Sequence, residues 1–127
     1  MRKLLFLFIS AGFILSCQNN KSFTISGTVT DKAYEGTNVY VQEMTDDAML
    51  GVDTLVVTNG SFSYEGVADS AVLRFISLDG TINPQLENRI PVLIEPGKIT
   101  LQFDSVVTVK GTKVNETYTD FRLKQRD

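Results

Sequence analysis

The sequence contains no histidine and no tryptophan, and its one cysteine is Cys17. Without imidazole there is no Ser–His or Cys–His nucleophile pair and no side chain whose ordinary pKa lies near neutrality. Zinc and copper sites built on His or Cys lose their ligands in the same way. A lone cysteine makes no disulfide within the chain, so the fold must rest on its core. Lys and Arg number twelve against fifteen Asp and Glu and form no cluster, which excludes nucleic acid as a partner. Three Pro and nine Gly are too few for a collagen-like or disordered chain. Long hydrophobic runs are scarce too. Residues 4–15 form an apolar stretch well short of the ~20 residues that a bilayer span requires. Carboxylate chemistry and Mg²⁺ or Ca²⁺ binding survive this filter, but no pair of acids stands out as convergent, and no cofactor is expected.

The short apolar run follows Arg2 and Lys3 and leads to Cys17, the layout of a cleaved signal peptide. Ile14-Leu15-Ser16-Cys17 resembles the lipobox of bacterial lipoproteins, with apolar Ile14, small Ser16 directly before the cysteine, and Leu15 where a smaller residue is usual. The resemblance implies that residues 1–16 are a signal peptide and that Cys17 carries palmitate and other acyl chains. Residues 17–22 then form a polar tether. Several chains at ~0.8 kcal/mol per buried CH₂ would hold the protein on a membrane durably. Gln18, rather than Asp, follows the cysteine, which points to the outer membrane facing the periplasm. Removing Arg2 and Lys3 leaves ten basic residues against fifteen acidic ones, a net charge of −5. Residues 23–127 are the length of one domain.

From Phe23 onward the pattern alternates with period two, the mark of half-buried strands. Phe23, Ile25 and Val29 share one parity, while Thr24, Ser26, Thr28 and Thr30 share the other. Asn38–Glu43 reads as a strand with Val39 and Val41 inward, and residues 45–51 as a connection. Asn59-Gly60 is a strong type I′ turn signal. It predicts a hairpin pairing Val57 with Phe62 and Leu55 with Tyr64. Ala71–Leu78 is apolar on both parities apart from Arg74 and Ser77, so it reads as a strand covered on both sides or shielded by loops. Residues 79–88 form the longest loop. Pro96-Gly97 suits a type II turn and predicts a second hairpin, with Ile94 opposite Ile99, Val92 opposite Leu101 and Ile90 opposite Phe103. Val106–Lys110 is a last strand.

Only the end changes period. Val114, Tyr118 and Phe121 fall at helical spacing over residues 114–126, with Asn115 as a cap and Glu116 in the first turn. The fold class is therefore all-β, an antiparallel β-sandwich of about eight strands with a short C-terminal helix.

Three segments, FTISGTV (23–29), DTLVVTNGSFSYEG (53–66) and IPVLIEPGKITLQFD leading to GTKVN (90–115), together resemble the domain-of-unknown-function family 4369. The resemblance spans nearly the whole chain after the tether and rests on strand-and-turn signatures. In many exported lipoproteins such a domain precedes a thioredoxin-like or peroxiredoxin-like domain, which is the protein partner the resemblance implies. This sequence holds no Cys-x-x-Cys pair, so thiol–disulfide chemistry does not transfer to it. Two expectations follow: a non-catalytic interaction or spacer module on a membrane, or the accessory front part of a thiol–disulfide oxidoreductase.

Individual candidates are few. Asp53 has the inward parity of Leu55 and Val57, yet a strand-end carboxylate bonding its own backbone accounts for it better than an acid tuned by burial. Arg74 offers a charge for an anion, and a rim-paired arginine is the plainer reading. Asp46 and Asp47 lack the spacing of a calcium loop. Tyr34 in a loop and Tyr40 on an outward parity could stack a sugar, though the lack of Trp weakens this. Asp53-Thr54-Leu55, Asp69-Ser70-Ala71 and Asp104-Ser105-Val106 resemble the acceptor triplet of a bacterial periplasmic O-glycosylation system, which makes Thr54, Ser70 and Ser105 candidate acceptors. Tyr118 and Phe121 need a cover and form the candidate docking surface.

Overall fold

The computed structural model describes residues 21–126. Eight strands and one helix follow in order: β1 Ser22–Val29, β2 Asn38–Met44, β3 Met49–Val56, β4 Ser61–Val67, β5 Val72–Ser77, β6 Arg89–Ile94, β7 Gly97–Phe103, β8 Thr108–Lys110 and α1 Lys113–Arg126. They form two four-stranded sheets. Sheet A has the order β4-β1-β7-β8 and sheet B the order β3-β2-β5-β6. The eight-stranded all-β architecture matches the expectation, with one addition: β1 and β7 run parallel, Ile25 beside Ile99 and Gly27 beside Leu101.

Alternation places one side of every sheet A strand in the core. Ile25, Ile99, Leu101 and Phe103 are fully buried and meet Val39, Val41, Ile76, Ile90 and Val92 from sheet B. Two aromatic rings fix the β1–β4 register. Phe62 lies opposite Gly27 in register, and a Cβ on Gly27 would sit 2.1 Å from the Phe62 ring. Phe23 lies over Gly66 in the same manner, at 2.9 Å. Each glycine leaves the space that the ring across from it fills.

Both expected hairpins turn out to be arches between sheets. At Asn59-Gly60 the turn itself forms, with φ of 54° and 75° and Thr58 bridged to Ser61. Glu35 accepts from the Asn59 and Gly60 amides at 2.7 and 2.9 Å, holding the turn from outside. Beyond that bridge the strands part: β3 pairs with β2 and β4 pairs with β1. Val57 and Phe62 are both buried but are not hydrogen-bonded partners. Likewise β6 pairs with β5 while β7 pairs with β1 and β8. Ile94 and Ile99, Val92 and Leu101, and Ile90 and Phe103 are all buried, on strands of opposite sheets. A hairpin and an arch bury the same parity, so the hydrophobic pattern does not separate them.

True hairpins occur instead at β2–β3 and β7–β8. Thr45 closes the first, its amide and hydroxyl both donating to the Ala48 carbonyl, and β3 starts at Met49 inside the stretch read as a connection. A bulge follows: Val41 faces Asp53 and Gln42 faces Gly51, leaving Val52 as the extra residue.

Helix α1 begins at Lys113, and its docked face differs from the one its apolar residues predict. Asn115 and Thr119 are buried, whereas Val114, Tyr118 and Phe121 are 48%, 40% and 55% exposed. The helix lies along the edge strands β6 and β8, whose outer backbone groups need polar partners. Asn115 accordingly accepts from the Leu93 amide and donates to the Leu93 carbonyl, at 3.0 and 2.8 Å, instead of capping the helix. Thr119 does the same for Val109, accepting at 3.2 Å and donating at 3.0 Å. Arg122 reaches the Val107 carbonyl and the Glu87 carboxylate, and Glu87 in turn accepts from the Val107 amide. Asn115, Thr119 and Arg122 are spaced i, i+4, i+7, so one polar stripe closes both sheet edges on this flank.

Candidate functional site

The sandwich has two unlike outer faces. Sheet A turns Ser26, Thr28, Ser61, Ser63, Thr100 and Gln102 to solvent. Sheet B turns out Tyr40, Val56, Leu73, Phe75, Pro91 and Leu93. Val56 and Leu73 are each 50% exposed. Among the described residues Arg89 is the one charged side chain on that outer parity. Leu73, Phe75, Pro91 and Leu93 join Val114 and Tyr118 of α1 in an apolar groove of about 460 Å³. Phe121 stands one turn further along the same stripe. The expected docking pair, Tyr118 and Phe121, thus continues a surface that the sequence reading did not extend to β5 and β6. The signal was present: apart from Arg74, Ser77 and Arg89 both strands are apolar on both parities, but α1 covers only the margin of their outer side.

A second depression opens between the sheets at the end where β1 begins. It measures about 370 Å³, and Phe23, Tyr64, Val72, Arg74 and Ile94 line it. Arg74 points inward, in register with buried Val92. Its guanidinium donates to the Leu73 carbonyl at 3.0 Å and lies 3.7 Å from the Glu43 carboxylate, a rim-paired arginine. Desolvation raises the Tyr64 pKa, Asp53 adds to the rise, and the Arg74 charge opposes it. Asp53 is exposed despite its inward parity, because β3 is the edge strand and its side chain passes the rim into water. Its carboxylate accepts from the Thr54 amide at 2.9 Å, the local backbone bond expected of it.

Tyr34 is fully buried, so it stacks on no ligand; its hydroxyl donates to the Asn83 carbonyl, and burial raises its pKa. Tyr40 is outward and 38% exposed. Asn83 also donates to Asp31 at 2.7 Å, and Asp31 accepts from the Ala33 amide. These bonds hold the Asp31 carboxyl below the usual carboxylate range, the Ala33 amide contributing most. Thr54, Ser70 and Ser105 are all exposed and well separated, on β3, in the β4–β5 loop and in the β7–β8 loop. Cys17 and most of the tether lie outside the described residues. Among the described residues no group of three or more His, Cys, Asp or Glu is placed to hold a metal ion, and no helix is long and apolar enough to cross a membrane.

The family model described as "Domain of unknown function (DUF4369)" matches residues 23–118. No curated protein matches the chain. Among solved structures the chain is similar to an (S)-allantoin synthase, at 10% identity and a TM-score of 0.47, over 74% of this chain and 45% of that one. The chain spans less than half of that protein, and a likeness this slight carries no argument about activity.

Proposed function

We propose, on the footing that the chain belongs to the DUF4369 family, that it is a membrane-anchored lipoprotein whose sandwich is a non-catalytic interaction module. The observation that carries this reading is the asymmetry of the two outer faces. Sheet A ends mainly in hydroxyls, an amide and the charges of Glu65, Lys98 and Lys110, whereas sheet B, beside Asn38, Gln42, Thr54 and Arg89, and the flank of α1 present partly exposed aromatic and aliphatic side chains. Exposed apolar patches of that extent mark contact surfaces on soluble proteins. Asp31 and Asp53 are held by backbone amides and Glu43 is paired with Arg74, rather than converging on a shared proton.

The lipobox-like Ile14–Cys17 supports the anchor, with the outer membrane as its site and palmitate on Cys17. Palmitate labelling of wild type and Cys17→Ala tests it. Label lost in the variant is the expected result, and equal label in both sinks the anchor. The interaction reading is tested separately by the purified chain, which is expected to reduce no protein disulfide above a dithiol background. A second reading, the accessory part of a thiol–disulfide oxidoreductase, is favoured by the exposed Tyr118 and Phe121, which a neighbouring thioredoxin-like domain would cover.

A further inference from the structure

We propose that the outer face of sheet B, together with the apolar flank of α1, binds a second copy of this chain across a two-fold axis. The proposal rests on the interaction reading above and names its partner. Size is the first argument. Four strands about 4.8 Å apart and six residues long at about 3.3 Å each give a face of roughly 19 by 20 Å. The 14-residue α1 adds a ridge about 21 Å long along one side. With a helix about 10 Å wide, together they cover roughly 600 Å², the lower end of the per-partner area that a specific association buries.

Charge is the second. Arg89 is the one outward charge on the described part of sheet B, so two such faces meet without a field of like sign between them. Nor does the face carry a charge pattern that would select a partner of opposite sign. Shape is the third. Phe121, 55% exposed, stands beside the groove and is not part of its wall, while the groove of about 460 Å³ between Leu73 and Val114 is open. A ridge next to a groove on one surface is self-complementary under a two-fold, which sets each Phe121 ring into the other copy's groove. The polar stripe of α1 is already spent on Leu93, Val109 and Val107, so the helix stays in place while its apolar flank is free to pack.

The experiment uses the full chain made in cells and treated with a short bis-maleimide. Leu73→Cys reports the apolar face, Ser26→Cys reports the outer face of sheet A, and wild type supplies the background. The expected result is a species of twice the chain mass from Leu73→Cys, and none above background from Ser26→Cys. Adding Tyr118→Lys and Phe121→Lys to the Leu73→Cys chain should cut that species by roughly tenfold or more, equivalent to ~1.4 kcal/mol of association. Equal cross-linking from the two faces, or a yield that the lysines leave unchanged, overturns the two-fold contact. A cross-linked species of another mass overturns the second copy as partner while the interaction reading stands. Full labelling by a single maleimide with no cross-linked species overturns the second copy as partner.

Discussion

The two sheets share one core and present opposite surfaces, and the contrast separates what folds the molecule from what it can meet. Ile25, Ile99 and Leu101 on one side and Val41, Ile76 and Val92 on the other are equally buried. Outward, β1 alternates to Ser and Thr and β4 turns out Ser61, Ser63 and Glu65 before ending on exposed Val67, while β5 and β6 carry Leu73, Phe75, Pro91 and Leu93 with Arg89 at one end. A solvated sheet face has no use for four apolar side chains, and burial in the core does not require them. If that division is right, stability resides in the shared core and not in either face. Phe103→Ala is the sharpest test, since its ring is fully buried against Phe62 at 6.1 Å between centroids. The expected loss is about 3–5 kcal/mol in a urea titration. A loss under about 1 kcal/mol would erase the distinction.

Helix α1 repeats the contrast on a smaller scale, with a polar stripe turned in and an apolar one turned out. Thr119→Val keeps the volume but strips both hydrogen bonds from the buried Val109 backbone. Each orphaned group costs ~1–3 kcal/mol, so the variant should melt measurably lower. The paired change Tyr118→Ala with Phe121→Ala should alter stability by only about 0.5 kcal/mol per site. The reverse order, measured by thermal melting, would mean that α1 docks through its apolar stripe.

How much of this was legible follows from what period-two alternation encodes. It reports which side chains turn inward, and Phe23, Ile25, Val57, Phe62, Ile90 and Phe103 were readable on that ground. It is silent on which sheet receives a strand, so Asn59-Gly60 and Pro96-Gly97 looked like hairpins although the chain crosses between sheets at both. The Val52 bulge and the edge position of β3 put Asp53 in water, and neither leaves a mark in the sequence. The helix misled for a different reason. Spacing singled out Val114, Tyr118 and Phe121, but the surface awaiting the helix was a row of backbone amides and carbonyls, for which Asn115, Thr119 and Arg122 are the fitting residues. The candidate surface was half legible: the α1 pair was visible, while β5 looked like a strand covered on both sides or shielded by loops and β6 like one arm of a hairpin.

A milder perturbation probes the outer faces directly. Leu73→Thr gives sheet B a residue typical of sheet A at a position 50% exposed. Stability should stay within about 0.5 kcal/mol, because no core contact is lost. Binding of a hydrophobic dye should nevertheless fall relative to wild type, whereas Ser26→Thr on the other face should leave it unchanged. Equal dye binding in all three chains would show that the two faces do not differ as surfaces.

The smallest expected effect concerns the stitch that keeps the two sheets together at one end. Asp31 lies just beyond β1 of sheet A, at the start of the connection to β2, and Asn83 sits in the loop between β5 and β6 of sheet B. The Asn83 amide donates to the Asp31 carboxylate at 2.7 Å, and the Ala33 amide donates to its other oxygen at 2.9 Å. Both bonds favour the charged form, the Ala33 amide more strongly, so the carboxyl titrates below its ordinary value in the folded protein. In the unfolded chain it takes up its proton near the usual ~3.9. Above that pH both states are ionised and the stabilisation is present in full. As the pH falls through the folded pKa both states become protonated and it is lost. Asp79, held low by the Thr81 amide and hydroxyl within the same loop, adds a shift of the same sign. Asp31→Asn keeps an acceptor for Ala33 but removes the titration. Its urea midpoint should therefore fall less than that of wild type between about pH 5 and about pH 3, with Asp79 accounting for part of what remains. A variant as acid-sensitive as wild type would show that the Asp31–Asn83 bond contributes nothing to joining the sheets.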